Sequence, residues 1–505
     1  MSGARLRRAT PADLEAVVDV FLDSWASYRG ILPPRLADRW TRAEAAEYWR
    51  TRLAEPAQTL ILAERDGEAG GFVAFGPGVE ARSGELSSLY VRAASGGEGI
   101  GRALLTHAEG EMRGRGWVVA RLWVFAANRR ARRFYERLGW RREGAEQVEE
   151  SFGELELRMS KRLVPTTQMQ REMEQQPAVL AAMLARRDEI QRGLREIVGE
   201  PHGVSLLARG SSDNAAIYAR YLLELALRRP VSLVAPSLWT RYGLAERLPG
   251  QVVIAVSQSG ETPEIVSTLR AMGEAGARSV AITNSGRSPL GAAADLVFEL
   301  AAGAEQAVPA TKTFSATLAA IAIIAEAVGT VPWGESDWSN LLSAQQALLA
   351  DVEPARVAAE SLVDSSAIVE LGRGPLYAIA LEGALKLAET TSLSASGFSS
   401  ADFLHGPIAR ARPGVSVVAY ATAGPVADDV HAAAEKSLGA GASLVVVGDD
   451  YRGRGLHLPV PGGLDEWLAP IAYAVRAQQL ALFATEALGV DPDQPPNLSK
   501  VTATT

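Results

Sequence analysis

One segment of the chain constrains its fold more than any other. An apolar run, Val252–Val256, leads into a polar turn, Ser257–Thr262, and then into a helical pattern. This succession is typical of a strand in a parallel α/β sheet. Free N–H groups, hydroxyl donors and the positive end of the helix meet at such a turn, so it favours anions. The turn lacks the lysine of a P-loop and the spacing of a dinucleotide turn, and we predict a phosphosugar site. For this segment alone, an ordinary capped helix is an equal alternative.

Composition excludes several classes of protein. The 505 residues carry a net charge of −8, so they lack the basic excess of a nucleic-acid-binding protein. No apolar run approaches the length of a membrane span, and no apolar segment follows the first arginines, so we expect a cytoplasmic protein with no membrane partner. The chain has no cysteine, which excludes disulfides, thiolate ligands and thiol nucleophiles. We predict no metal site.

The first 162 residues show an α/β pattern of their own. Two helical patterns, 11–24 and 41–54, precede strand-like runs at 59–64, 71–75 and 85–91, and a helix, a strand and a helix follow at 102–113, 117–124 and 128–138. The glycine-rich turn Gly96–Gly101 follows the third run. It lacks the full dinucleotide pattern, and the alternative is a pyrophosphate turn for coenzyme A. After this unit, residues 163–176 are polar and largely aperiodic, and we expect a linker there.

The same residues resemble the GNAT acetyltransferases. The resemblance rests on the glycine-rich loop between a strand and a helix, and on the later run from Asn128 through Tyr135 to Trp140. It implies that the loop N–H groups hold the pyrophosphate of acetyl-CoA and that Tyr135 protonates the leaving thiolate. The cofactor-binding residues that it implies are Val91, Gly97, Gly99, Ile100, Gly101 and Asn128.

Some residues of this unit also have ordinary structural explanations. Tyr135 could be a core aromatic beside Phe134, and Glu85, a possible general base, is more simply explained as a solvent-exposed carboxylate. The acceptor amine is not identified by the sequence. Four side chains are candidates for its pocket, although aromatic residues near an amphipathic helix usually belong to a core: Trp25, Tyr28, Arg29 and Trp40.

From residue 178 onward, long Ala/Leu-rich helices alternate with apolar strands, and the pattern repeats. A strand, a glycine and a helix occur at Leu206–Ser212 and again at Val369–Gly374, about 160 residues later. The run Val252–Val256 is likewise matched by Ser416–Tyr420. We therefore predict two tandem, doubly wound parallel sheets with ligands at the carboxyl ends of their strands.

Five further segments in this region carry chemistry. They are Gly210–Ser212, Glu305–Thr313, Leu381–Glu389, Phe403–Pro407 and Asn497–Thr502. In the third, Glu382, Lys386 and Glu389 share one face of a predicted helix. Lys386 and Lys500 are two of only five lysines, against 46 arginines, which suggests positions that need an amine. Singly, each has an ordinary explanation: a surface ion pair for Lys386, a loop histidine for His405 and a solvated tail for Lys500.

Together and in this order, the segments resemble the tandem sugar isomerase (SIS) domains of glutamine:fructose-6-phosphate amidotransferases and of SIS-type glucosamine-6-phosphate deaminases, from about residue 168 to 505. The resemblance implies that Glu389 moves a proton between C1 and C2, that His405 opens the sugar ring and that Lys500 meets the open-chain carbonyl as an amine. It implies no cofactor for these domains. It also implies that the ring-opening histidine comes from a neighbouring subunit, so we expect a homodimer. The implied substrate-binding residues are Ser211, Ser212, Ser257, Gln258, Ser259, Thr262, Val308 and Lys386.

We thus predict an α/β chain with a GNAT-type mixed sheet at 1–162, a linker and lead helix at 163–200, and two doubly wound, flavodoxin-like SIS domains at 201–335 and 358–505. The amidotransferases obtain ammonia from glutamine with a cysteine, which this chain lacks. The predicted reaction is therefore glucosamine 6-phosphate plus water to fructose 6-phosphate plus ammonium. Alternatives are ammonia-dependent synthesis, another hexosamine-phosphate or fructosamine-phosphate substrate, or a non-catalytic phosphosugar sensor. The fusion suggests that both units act on amino sugars.

Overall fold

The chain forms two compact units, Met1–Pro165 and Thr166–Thr505. Each unit has its own sheets and its own hydrophobic cores. The computed structural model describes residues 4–65, 67–80, 82–95, 99–149, 153–163, 166–199, 201–495, 498 and 500, apart from the side chains of residues 35, 36 and 149.

The first unit is built on one mixed sheet. Its strands are β1 (Arg5–Arg8), β2 (Thr59–Arg65), β3 (Glu68–Pro77), β4 (Ser83–Val91), β5 (Val119–Phe125), β6 (Arg141–Glu149) and β7 (Glu154–Arg162). Its helices are α1 (Leu14–Trp25), α2 (Pro34–Ala37), α3 (Arg42–Ala54), α4 (Ile100–Gly114) and α5 (Arg129–Arg137). The strand order is β1-β2-β3-β4-β5-β7-β6, in which β4 and β5 run parallel and the other neighbours antiparallel.

The predicted elements of this unit agree with the structure to within a few residues, but β1, β6 and β7 were not predicted, and the sequences of β1 and β6 show why for those two strands. Strand β1 is four residues with three arginines, and the described side chains of β6 are exposed. Neither has the alternation of apolar and polar residues that marks a half-buried strand. These strands form because the sheet offers them a partner, which their own sequences do not indicate.

The second unit contains two sheets that follow one another along the chain. Three helices come first: α6 (Gln168–Glu174), α7 (Gln176–Leu184) and α8 (Arg187–Val198). The first sheet and its helices are β8 (Gly203–Leu207), α9 (Ser211–Leu227), β9 (Val231–Leu233), α10 (Pro236–Thr240), β10 (Gln251–Val256), α11 (Pro263–Glu274), β11 (Arg278–Thr283), β12 (Leu296–Glu299) and α12 (Lys312–Val328). Two helices connect the sheets: α13 (Glu335–Ala350) and α14 (Glu353–Glu360). The second sheet and its helices are β13 (Ala367–Gly372), α15 (Tyr377–Thr391), β14 (Ala395–Ser399), α16 (Ser400–Leu404), β15 (Val415–Ala421), α17 (Ala427–Gly439), β16 (Ser443–Gly448), β17 (Leu456–Pro459) and α18 (Ala469–Leu488).

The two sheets have the same topology. Their orders are β9-β8-β10-β11-β12 and β14-β13-β15-β16-β17, and all neighbouring strands run parallel. Numbered within each repeat, both orders are 2-1-3-4-5, the flavodoxin-like arrangement. The prediction of tandem, doubly wound parallel sheets is confirmed.

The two repeats share one hydrophobic core. Helices α9 and α12 of the first repeat and α15 and α18 of the second all contribute buried residues to it. Helix α18 is buried along nearly its whole length. It is rich in alanine, and these small side chains let neighbouring helices approach it closely. A hydrogen bond also joins the repeats: Tyr218 Oη of the first donates to the carbonyl of Trp467 in the second at 2.7 Å. Among the described helices, none is long and apolar enough to cross a membrane.

The predicted linker is wrong for most of its length. Residues Gln168–Glu174 form α6, in which Met169 and Met173 are buried one helical turn apart. Glu172 is fully buried and accepts N–H bonds from Gln306 and Ala307, while Asp493 accepts from the first N–H groups of the helix. Two apolar residues in a polar stretch give too weak a pattern to predict a helix that tertiary contacts stabilise.

Candidate active site

The crevice of the first repeat lies where its strand order reverses. Helices α9 and α11 leave β8 and β10 toward opposite sides of the sheet, because β9 lies on one side of β8 and β11 on the far side of β10. In open α/β sheets, ligands bind at the carboxyl ends of the strands at such a point. The turns Gly210–Ser212 and Ser257–Thr262 both follow these strand ends. The structure thus brings the predicted phosphate-binding segments to one edge.

The turn after β10 is held in shape by its own hydroxyl groups. Ser257 Oγ accepts the N–H of Gly260 and Ser259 Oγ accepts that of Glu261, both at 3.2 Å. Gly260 has a φ of +66°, and a Cβ there would lie 2.1 Å from Ser288 Oγ, so only glycine fits. Thr262 is the N-cap of α11 and its side chain makes no capping bond in the described chain. Helix α11 begins with Pro263, which has no N–H group, and the N–H of Ile265 donates to the carbonyl of Thr262, which leaves the N–H of Glu264 at the start of the helix to bind an anion. Gln258 lies within the same turn.

A buried lysine lies beside this crevice, on α15. Lys386 is 1% exposed and pairs with Glu389 on one side and with Glu382, at 3.5 Å, on the other. Burial alone would lower the pKa of Lys386, but the two carboxylates raise it above its usual value. Glu382, Lys386 and Glu389 therefore form an internal ion cluster, and the ordinary explanation of Lys386 as part of a surface ion pair is wrong. Glu389 is the more exposed of the two carboxylates.

The ion cluster is tied directly to the edge where phosphate binding is predicted. Asn214 Nδ2 on α9 donates to Glu382 Oε2 at 2.8 Å, and Ser211 also forms a side-chain hydrogen bond with Glu382. Helix α9 begins at Ser211, directly after the first turn of the crevice. The helix that would hold a phosphate at its end therefore also positions Lys386 and Glu389 through Glu382.

A second lysine reaches the same region from the end of the chain. Lys500 Nζ donates to Glu305 Oε2 at 2.8 Å and to the carbonyl of Ala307 at 2.7 Å, next to Val308. Glu305 is buried and also accepts bonds from Thr311 and Thr313. Burial would raise the pKa of Glu305, but Lys500 and these bonds lower it. Glu305 also acts electrostatically on Lys386, so both lysines belong to one charged network.

His405 does not join this network within one chain. It ends α16 and its side chain is exposed, and none of the described hydrogen bonds or ion pairs joins it to Glu389 or Lys386. Of the three predicted catalytic residues in the second unit, the structure therefore groups Glu389 with Lys500 and leaves His405 apart. No group of three or more His, Asp or Glu side chains suited to a metal ion occurs among the described residues.

In the first unit, strands β4 and β5 separate and open a cleft in the sheet. Among the described residues their ladder joins only Ser83–Glu85 to Val119–Arg121, although the strands continue to Val91 and Phe125. Beyond Glu85 in β4 and Arg121 in β5, the backbone groups on the two facing edges therefore have no ladder partner. An extended ligand with amide groups can pair with them. The cleft contains a cavity of about 200 Å³ that Tyr135 lines.

The predicted cofactor residues lie around the end of this cleft. Val91 ends β4, Gly99 precedes α4 with a φ of +84°, and Ile100 and Gly101 form the first turn of that helix. Asn128 caps α5 by accepting the N–H of Ala131, and it also forms a hydrogen bond with Tyr28. Gly97 lies outside the described residues. Tyr135 is buried, and its burial raises the pKa of its hydroxyl group, which can therefore act as a proton donor.

Glu85 is not among the residues that line the cavity. Burial raises the pKa of Glu85, an effect that Arg158 and Arg121 oppose and that Glu80 and Glu143 strengthen. Its neighbours are thus the members of a charge network on the sheet. Glu85 is half-buried, so its explanation as a solvent-exposed carboxylate is wrong. The carboxylate in the cavity is Glu156 on β7, which the sequence did not indicate.

Family comparisons agree with this architecture. Residues 18–140 match the acetyltransferase (GNAT) family, and residues 200–327 and 361–451 match the SIS domain. The chain joins a GNAT domain to two SIS segments. Below, the first unit is called the GNAT unit and the second the SIS unit.

The SIS unit resembles proteins of amino-sugar metabolism. The chain is 31% identical over 343 residues to a glutamine–fructose-6-phosphate aminotransferase of Methanothermobacter thermautotrophicus, a match that covers 66% of this chain and 56% of that protein. It thus spans little more than half the length of the curated relatives it matches. The C-terminal domain of the Francisella tularensis glucosamine-fructose-6-phosphate aminotransferase is 25% identical, with a TM-score of 0.58, over 66% of this chain and 99% of that one. A Thermotoga maritima glucosamine-6-phosphate deaminase shares the fold, with 21% identity and a TM-score of 0.55 over 67% of this chain and all of that one.

Sequence reasoning missed a buried carboxyl group behind the cluster. Glu370 in β13 accepts a hydrogen bond from Tyr420 Oη at 2.8 Å, and it packs so closely against α15 that a Cβ on Gly383 would lie 2.0 Å from its Oε2. Burial raises the pKa of Glu370 to about 8, which the Tyr420 bond opposes and Glu382 strengthens. One carboxylate in an otherwise apolar strand, Ile368–Leu371, is the signal that could have revealed it.

We predict that Glu370→Gln changes the pH dependence of stability. Between the usual carboxyl pKa and about 8, the unfolded chain releases a proton that folded Glu370 keeps, so stability falls as pH rises, by about 1.4 kcal/mol per pH unit. The amide cannot ionise, and the variant should therefore gain stability relative to the parent between pH 5 and pH 8. The measurement is urea unfolding at both pH values, with exposed Glu435→Gln as the control. An equal effect at both pH values would show that Glu370 is not protonated in the fold.

Proposed function

We propose that the SIS unit releases ammonia from glucosamine 6-phosphate and forms fructose 6-phosphate. The observation that carries the proposal is the link from Asn214, near the start of α9, through Glu382 to Lys386 and Glu389. It puts a partly exposed carboxylate, fixed by a buried cation, beside two turns suited to a phosphate. Aldose–ketose interconversion needs a carboxylate within reach of two adjacent carbons.

In this reaction the turns anchor the phosphate and the network does the proton transfer. The hydroxyl groups of Ser211, Ser212, Ser257, Ser259 and Thr262, with Gln258, bind the phosphate. Glu389 removes the proton from C2 of the open-chain sugar and returns it to C1, which leaves an imine at C2. Water adds to the imine and ammonia departs. Lys386 keeps Glu389 in place by their ion pair.

Lys500 serves the open-chain carbonyl in the role that the family resemblance implies. It donates two bonds, to Glu305 and to the carbonyl of Ala307. To act as a nucleophile it has to lose a proton, and Glu305 is the adjacent carboxylate that can accept it. Val308 lies next to this contact, on the segment that would border the sugar.

The absence of cysteine supports ammonia release over synthesis from glutamine. Glutamine hydrolysis by the amidotransferase route needs a cysteine nucleophile, and the 505 residues contain none. Free ammonia could drive the same chemistry in reverse, because a catalyst accelerates both directions. At low ammonia the net direction is release.

For the GNAT unit we propose acetyl transfer from acetyl-CoA to an amine. The unpaired edges of β4 and β5 and the start of α4 fit an extended chain that ends in a pyrophosphate. Acetyl-CoA supplies the reactive thioester when bound. Ile100 and Gly101 offer N–H groups, Asn128 orders the start of α5, and Tyr135 donates a proton.

The first prediction for this function concerns Glu389. Glu389→Gln keeps the size of the side chain but removes its basicity, so kcat for ammonia release should fall by about 100-fold or more. KM should change little, because the phosphate turns are untouched. The measurement is ammonia release from a panel of amino-sugar phosphates, with exposed Glu435→Gln as the matched control. Full activity in Glu389→Gln would rule out this residue as the base, and no release from any substrate would refute the deaminase.

The second prediction follows from the exposed position of His405. We propose that the smallest active unit is a homodimer in which this histidine serves the site of the other subunit. His405→Asn and Glu389→Gln should each be inactive, but co-expressed in one cell they should regain about a quarter of parental activity, since mixed dimers contain one intact site. Co-expression of either variant with itself is the control. A mixture that stays inactive would contradict the shared site.

A further inference from the structure

The cavity of the GNAT unit has aromatic walls. It measures about 200 Å³, and nine of its lining side chains are aromatic, among them Trp25, Tyr28, Trp40 and Trp123. Several of these rings meet at right angles: Trp25 and Trp40 at 85° with centroids 6.2 Å apart, and Tyr28 and Phe125 at 83° and 6.0 Å. Perpendicular walls enclose a guest from several sides. Such a site favours an apolar or cationic guest.

The polar groups in the cavity are few and of one sign. Glu156 is its carboxylate, Ser87 and Ser88 add hydroxyl groups, and the described lining residues include no arginine or lysine. Glu156 lies opposite Phe125 in the ladder of β5 and β7. Gln147 Nε2 donates to Glu156 Oε2 at 3.1 Å. A phosphate in this cavity would lose its hydration without gaining a cationic partner, and it would face a carboxylate.

The neighbouring pocket does not offer a phosphate site either. It measures about 380 Å³ and shares Trp25 and Trp40 with the cavity, so the two adjoin. Arg29 lines it, but Asp38 lines it as well and accepts from Arg29 Nε at 2.7 Å. A dianion would have to compete with Asp38 for this guanidinium group. The opposite charges of Arg29 and Asp38 offset each other, so among the described lining residues of the two pockets the preference for a cation over an anion comes from Glu156.

We propose that the acetyl acceptor is a primary amine with an aromatic or branched apolar body, whose ammonium group is received by Glu156. The GNAT unit and the SIS unit then act on different substrates, contrary to the expectation that the fusion suggests. This inference rests on the proposed acetyltransferase activity of the GNAT unit. The aromatic walls bind the body of the amine, and the adjoining pocket accommodates a longer one.

The transfer step balances with the groups present. Glu156 accepts one proton from the ammonium group and passes it to water. The free amine nitrogen attacks the thioester carbonyl, a C–N bond forms and the C–S bond breaks. The thiolate takes a proton from Tyr135, and the acylated nitrogen gives its surplus proton back to the Tyr135 phenolate. The net products are an N-acetylamine, coenzyme A and one proton.

The test is a competition between classes of amine on the full-length chain. Coenzyme A release is followed with a thiol reagent, which meets no background because the chain has no cysteine. We expect kcat/KM for 2-phenylethylamine or isopentylamine to exceed that for glucosamine 6-phosphate by about 100-fold or more. Equal or better acetylation of glucosamine 6-phosphate, or no acetylation of the apolar amines, would overturn the inference.

Acetyl-CoA binding and ammonia release are measured on the same preparation. If acetyl-CoA binds in calorimetry but the phosphosugar is the better acceptor, the inference fails and the acetyltransferase stands. If acetyl-CoA does not bind, both fail. Ammonia release from glucosamine 6-phosphate tests the SIS unit separately, and its outcome decides the proposed deaminase reaction without bearing on the acetyl acceptor.

A variant pair tests the role of Glu156. Glu156→Gln should raise KM for 2-phenylethylamine about tenfold or more and leave acetyl-CoA binding unchanged, because the ammonium group loses its charged partner whereas Gln147 can still donate to the amide oxygen. Its rate should also lose the part of its pH profile that the carboxylate contributes. Glu146→Gln, at an exposed position on β6, is the control. Unchanged KM and pH profile in Glu156→Gln would remove Glu156 from the acceptor site.

Discussion

One buried ammonium group governs the arrangement of the SIS unit. Lys386 is almost completely shielded from water, and a charge in that position is tolerated only when carboxylates surround it. Glu382 and Glu389 come from its own helix, and Glu382 is in turn bonded by Asn214 from the first repeat. Removing one partner would leave an uncompensated buried charge, so both repeats have to close around this point. The need to compensate the buried charge of Lys386 therefore also fixes the position of Glu389, the carboxylate that we assign to proton transfer.

The two repeats have the same topology but divide the proposed chemistry. At the first switch point both strand ends lead into turns rich in hydroxyl groups, which suits a phosphate. The second repeat contributes α15 instead, whose polar face carries the ion cluster toward the first repeat. Lys500 completes the network by donating to Glu305 and to the carbonyl of Ala307, whose N–H is bonded by Glu172 of α6. The helix predicted as a linker is thus part of the support for the C-terminal lysine.

Much of this could be predicted from sequence, for identifiable reasons. Apolar strands followed by glycine or serine turns are local patterns, and they predicted both sheets and the positions of the two turns to which we assign the phosphate. Features that depend on a distant partner were missed. Helix α6 was missed because its stability comes from tertiary contacts, and Glu370 because its partners are Tyr420 and Gly383. Glu156 was missed because it faces the cavity from a strand that the sequence did not predict. Spacing within a helix indicated that Glu382, Lys386 and Glu389 lie on one face. It did not reveal that they are buried, and burial is what distinguishes an internal ion cluster from a surface one.

The most direct test of the account is the fate of hydrogen at C1 of the product. With glucosamine 6-phosphate in D₂O, NMR spectroscopy of the fructose 6-phosphate formed would report whether C1 gains its new hydrogen on one face or on both. A single carboxylate that serves C1 and C2 from one side, as Glu389 is placed to do beside Lys386, predicts the new hydrogen on one face only: deuterium where the proton taken from C2 exchanges with solvent, and protium where it returns first. Label on both faces, or no fructose 6-phosphate at all, would contradict the central claim that this ion cluster is the catalytic centre.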